Sequence, residues 1–168
     1  MKWVLIYWEL AHAPPPSGRY AESMQLPSRE HLTPFAHAAH NRCFGCGPAN
    51  PIGLRLEFLL APDGSVVCPV TIPNTFEGRA GYLHGGIIAT LLDEAMSKAV
   101  RAKGRSSMTR KMEVEFLSPV HSGAPIRIEG RVARHEHRKF WAEACIFSAE
   151  NKILASATGL FIEVPQKS

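Results

Sequence analysis

The sequence predicts an α+β domain in which an antiparallel sheet curls around one central helix. Three observations carry this reading. One long apolar helical stretch lies in the middle of the chain, over 85–101. The segments on both sides of it alternate apolar and polar residues, the period of a half-buried strand. Short polar turns separate the later strands, and short loops join antiparallel neighbours, not parallel ones. A wound parallel fold would need a helix between each pair of strands.

The elements follow in order. Residues 1–40 carry Pro14-Pro15-Pro16-Ser17-Gly18 and no clean periodicity, so they read as an irregular extension with a short helix near 34–40. Over 54–60, Leu54, Leu56, Phe58 and Leu60 alternate with Arg55, Glu57 and Leu59, predicting a strand. Pro62-Asp63-Gly64 is a turn. A second strand covers 65–72, with Pro69 indicating an edge or bulge. Residues 73–83 are a loop. In the helix, positions 87, 88, 91, 92, 95 and 99 form one apolar face, which leaves Asp93 and Ser97 off it. Lys103-Gly104-Arg105 ends the helix. Strands follow over 108–117, 125–134, 139–149 and 152–164, the last two joined at Glu150-Asn151.

Composition excludes several classes. At 168 residues, 45% hydrophobic and 20% charged, the chain is one ordinary globular domain. A net charge of +4 suits an anionic ligand but is too weak to argue for nucleic acid. No apolar run approaches a membrane span. Four cysteines without a disulfide pattern favour a reducing, cytoplasmic setting. The start, Met1 to Trp8, has a faint signal-peptide character, but Glu9 cuts its apolar stretch short.

The most informative segment is Gly81-Tyr82-Leu83-His84-Gly85-Gly86, which runs into the helix that carries Asp93. The first turn of a helix has backbone N–H groups without partners, and its dipole favours negative charge. Gly85 and Gly86 there admit an oxyanion to the backbone. Asp93 is an acid in an apolar helix, costly unless it is paired or functional. It lies eight residues after Gly85, roughly 12 Å along the axis. One small carbonyl cannot touch both groups of the same helix. The spacing therefore predicts a two-fold homodimer with shared sites, a dimer of dimers being left open.

Cys43-Phe44-Gly45-Cys46-Gly47-Pro48-Ala49-Asn50-Pro51-Ile52-Gly53-Leu54, Phe76-Glu77-Gly78, the His84-Gly85-Gly86 turn with Asp93, and Met108-Thr109 together resemble the hotdog-fold acyl-CoA thioesterases. The nearest group is the PaaI family of the 4-hydroxybenzoyl-CoA thioesterase superfamily. The resemblance covers about 40–164, so residues 41–168 are expected to form the hotdog thioesterase domain. It implies a dimer built on one continuous sheet, an oxyanion donor at the Gly85 N–H, a catalytic carboxylate at Asp93 and an assisting hydroxyl at Thr109. One departure stands out: several relatives carry Asn six residues before the histidine, where this chain has Gly78.

The remaining candidates follow from the residues. His84 is either a side-chain participant in catalysis or the group that fixes the turn through a hydrogen bond. Glu94, rotated by 100° from Asp93, reads as structural or solvated. Arg101, Lys103, Arg105, Arg110 and Lys111 form either a solvated face or a phosphate dock, with Arg110 and Lys111 the candidates for binding substrate beside Gly86. Cys43 and Cys46, with His37 and His40, offer metal-type donors at every third position, but no second pair completes a common zinc motif. No metal and no cofactor are expected. His135 and His137 read as a solvated turn. The expected activity is hydrolysis of acyl-CoA or a similar acyl-thioester. The alternatives are a hotdog acyl-CoA dehydratase or hydratase, and a non-catalytic acyl-CoA sensor.

Overall fold

The computed structural model describes residues 31–165. The first thirty residues, with the proline run and the signal-like start, lie outside the described residues. Nine strands and one long helix follow in order. They are β1 (Thr33–Pro34), β2 (Leu59–Leu60), β3 (Val66–Thr71), β4 (Glu77–Arg79), β5 (Tyr82–Leu83), α1 (Gly85–Ala102), β6 (Ser107–Phe116), β7 (Pro125–Glu136), β8 (Lys139–Ser148) and β9 (Ile153–Glu163). Seven strands form one antiparallel sheet in the order β1-β2-β3-β7-β8-β9-β6, and β4-β5 form a small separate hairpin. This is the expected hotdog arrangement.

The sheet holds α1 because each long strand gives one face to it. Leu91, Leu92, Ala95, Met96 and Ala99 of α1 are fully buried, as are Ile128, Ile146, Ala155 and Phe161 of the sheet. Each large aliphatic side chain sealed in this way contributes about 1.5–3 kcal/mol. Asp93 and Ser97 lie off this face and are only half-buried, as the periodicity predicts.

Three local readings change. No helix forms over 34–40: β1 pairs with β2 at the sheet edge, and Phe35 packs on the core. The chain therefore joins the sheet a few residues before position 41. Residues 54–58 keep their alternation, with Leu56 and Phe58 buried and Arg55 and Glu57 exposed. They make no ladder, because the N–H groups of Leu54 and Leu56 bond to the carbonyls of Phe44 and Gly45 in the preceding turn. The loop over 73–83 contains a short 3-10 turn (Asn74–Phe76) and the β4-β5 hairpin. Pro69 lies on β3 beyond Val67, the last residue that β2 pairs, so the edge reading holds.

Candidate active site

The entry to α1 is held from both sides. The N–H of Leu83 bonds to the Val120 carbonyl, and the N–H of His84 bonds to that of Phe76, both at 2.9 Å. His84 is the N-cap, and its Nδ1 accepts the Gly86 N–H at 2.9 Å. The N–H groups of Ile87 and Ile88 turn back to the His84 carbonyl. Among the described residues, the first helical N–H left without an acceptor is therefore that of Gly85, at the positive end of the dipole. This divides the glycine pair: Gly86 serves the cap, and Gly85 faces outward.

The His84 side chain thus holds the turn through this hydrogen bond. The lone pair a general base would use is already engaged. A β-carbon on Gly78 would lie 3.1 Å from both Cα and Cδ2 of His84, so a side chain at this position would need the histidine to give by a few tenths of an ångström.

Asp93 lies two turns along the helix. The Thr109 hydroxyl on β6 donates to its Oδ1 at 2.7 Å. Burial pushes the Asp93 carboxyl above the ordinary carboxylate range; the Thr109 O–H draws it back, and the neighbouring Glu94 charge raises it further. Thr109 reaches Asp93 through a defect in the strand. Met112 and Val114 face the core, and Phe116 faces Gly85. Strict alternation would then point residue 110, not 109, at the helix. A β-bulge between Thr109 and Lys111 absorbs Arg110 as an extra residue and inverts the phase, which turns Thr109 inward.

The structure thus brings together Asp93 and Thr109 at one end of β6 and Gly85 and Phe116 at the other. Within one chain these two groups stay apart. Arg110 and Lys111 are exposed on the outer side, and Lys111 pairs with Glu113 at 2.7 Å. Arg105 pairs with Glu163 at 3.0 Å. Glu94, by contrast, is buried. Burial alone would raise its carboxyl, but Lys98, 3.2 Å away, and the thiols beside it hold it below the usual range. Its solvated reading is therefore excluded. Sequence reasoning missed that Glu94 sits against the Cys43–Gly47 turn, where the Cys43 thiol donates to Oε1 at 3.1 Å.

Comparison with known proteins gives the chain its relatives. A family profile described as Thioesterase superfamily matches residues 80–155. Acyl-coenzyme A thioesterase THEM4 of Bos taurus is 31% identical over 121 residues, 69% of this chain and 50% of its own length. The chain thus spans about half the length of that relative. A putative esterase of Saccharolobus solfataricus is 31% identical over 108 residues, 63% of this chain and 76% of its own. Among solved structures, a thioesterase superfamily protein aligns over 95% of this chain and 77% of its own, with a TM-score of 0.68 and 24% identity.

Proposed function

Because the chain belongs to the thioesterase superfamily, we propose that it hydrolyses acyl-CoA or a closely similar acyl-thioester to the free acid and thiol. Within the superfamily, the Cys43–Leu54 segment favours a PaaI-type enzyme, with residues 41–168 as the catalytic unit. The observation that carries this reading is the carboxylate of Asp93, raised by burial and bonded to Thr109, on the same helix as the unpartnered Gly85 N–H.

In this mechanism the thioester oxygen rests on the Gly85 N–H, where the helix dipole favours the charge of the tetrahedral intermediate. Asp93 takes a proton from water as the water oxygen bonds to the carbonyl carbon, or bonds to that carbon itself to give, once the thiol has left, a mixed anhydride that a water then hydrolyses to the free acid and the restored carboxylate. Thr109 orients the carboxylate. The C–S bond then breaks, and the electron pair leaves with sulfur. A thiol of pKa about 8.5 departs without a strong general acid. The exposed Arg110 supplies positive charge for the phosphates of the thiol carrier.

The site is complete only in a homodimer. β6 ends the sheet with an unpaired edge ten residues long. Met108, Phe116 and Leu117 on or beside it are exposed by 65%, 58% and 54%. A long apolar edge of this kind seeks a partner strand. Antiparallel pairing of β6 with its own copy brings the Thr109 end of one protomer to the Phe116 end of its partner. Asp93 of each then approaches the other's Gly85. Four free cysteines, three of them buried, support a reducing compartment such as the cytoplasm. Among the described residues, no helix is long and apolar enough to cross a membrane.

The test is thiol release from short, long and aromatic acyl-CoAs. Turnover of at least one of them that depends on Asp93 supports the reading. A folded protein inert towards the whole panel overturns it.

A further inference from the structure

We propose that the chain holds a zinc ion between the Cys43–Gly47 turn and α1, bound by Cys43, Cys46 and Glu94, with His37 as the fourth ligand. The Sγ atoms of Cys43 and Cys46 and a carboxylate oxygen of Glu94 all lie within 4.8 Å of one another. A tetrahedral zinc, with Zn–S about 2.3 Å, sets its ligand atoms roughly 3.5–4 Å apart. Two sulfurs with one oxygen and one imidazole nitrogen form a donor set suited to zinc and poorly suited to magnesium or calcium.

A second observation points to the same place. Buried polar side-chain atoms are rarely left without partners. Among the described residues, four such atoms lack a hydrogen bond, and three of them are here: both ring nitrogens of His37, and Oε2 of Glu94. Lys98 gives that oxygen a charge partner at 3.2 Å without hydrogen-bond alignment. His37 lies outside the 4.8 Å cluster but lines one cavity together with Cys46.

The surroundings match a metal site in charge as well. Two thiolates, one carboxylate and a divalent cation sum to −1, and the buried Lys98 cancels this. Asn41 Nδ2 donates to the Cys46 sulfur at 3.7 Å, an outer contact of the kind that orients a ligand thiolate. The turn is built for close approach: a β-carbon on Gly45 would overlap Glu94 Cγ. Glu94 is next to Asp93 in α1, so the ion would pin the turn to the stretch of helix that carries the carboxylate.

The full chain, expressed without a histidine tag in zinc-supplemented medium, is analysed for metal and then exchanged with cobalt(II). The expected result is about one zinc per chain, and a cobalt form with thiolate-to-metal charge-transfer absorption. Cys43→Ser and Cys46→Ser should each lose that absorption, and His37→Ala should weaken binding. Chelation of the wild-type chain should lower its melting temperature, and added zinc should restore it, which keeps the test valid where a cysteine variant fails to fold. Less than about a tenth of an equivalent of zinc, together with a cobalt sample lacking charge-transfer absorption, overturns the site. Neither readout depends on hydrolysis, so this result is separate from that of the acyl-CoA panel.

Discussion

Replacing Thr109 by valine removes one hydroxyl and keeps the β-branched shape that β6 needs. The hydroxyl donates to Asp93 Oδ1 at 2.7 Å. A hydrogen bond to a charged group contributes about 1.5–3 kcal/mol, so Thr109→Val should lower kcat about 10- to 150-fold. The pH profile is the sharper readout. Burial raises the Asp93 carboxyl, and the Thr109 bond partly reverses that by favouring the ionised form. Catalysis uses the ionised form, so activity falls as pH drops through the Asp93 pKa. Without the hydroxyl that pKa rises further, and the acidic limb of the kcat profile moves to higher pH. Thr109→Ser keeps the donor and should hold the limb near its wild-type position. Initial rates of thiol release at a saturating acyl-CoA, measured from acid to neutral pH, decide the matter. A Thr109→Val profile that coincides with the wild type, at undiminished kcat, would refute the role assigned to this pair.

Two further expectations concern the same groups. Asp93→Asn should cost roughly 10²–10⁴ in rate while keeping the fold. Because burial raises the folded-state pKa above 3.8, the stability tied to this group is full below that value and lost as pH rises through the folded pKa. Asp93→Asn should therefore melt no lower than wild type at neutral pH and match it in acid, and a clear loss of thermal stability near neutrality would contradict the pKa direction. Deleting Arg110 removes the bulge and moves Thr109 into the position that strict alternation points at α1, so the Asp93 contact should survive and activity should fall less than in Thr109→Val; a deletion variant at least as impaired as Thr109→Val would show that the bulge itself is needed for this contact.

The parts of this molecule legible in its sequence are those governed by period and by single-residue chemistry. Ile126, Ile128 and Gly130 alternate with charged residues, and β7 to β9 fall within two residues of the expected ranges at every end. His84-Gly85-Gly86 marked the helix start, and Asp93 stood off the apolar face as its position required. What the sequence hid depends on contacts distant in the chain. The bulge at Arg110 has no local signal, since Met108 to Phe116 reads as unbroken alternation. Residues 54–58 look like a strand, but the partner of their backbone is a turn that closes on itself through Gly47 and Cys43. Glu94 reads from the sequence as either structural or solvated. Only the packing of the Cys43–Gly47 turn on α1 shows it buried with Lys98, 51 residues after the cysteine it contacts.

The central claim is that each site is assembled from two chains. One chain type carries Asp93→Asn. The other carries Gly85→Pro, which deletes the outward N–H at the first helical position, where proline is tolerated, and where a β-carbon meets only the Phe116 ring, at 3.6 Å. Each homodimer should be nearly inactive. In a mixed dimer one site inherits both lesions and the other inherits neither. A purified heterodimer should therefore recover up to roughly half of the wild-type activity per dimer. A folded heterodimer no more active than its parents would contradict the shared site.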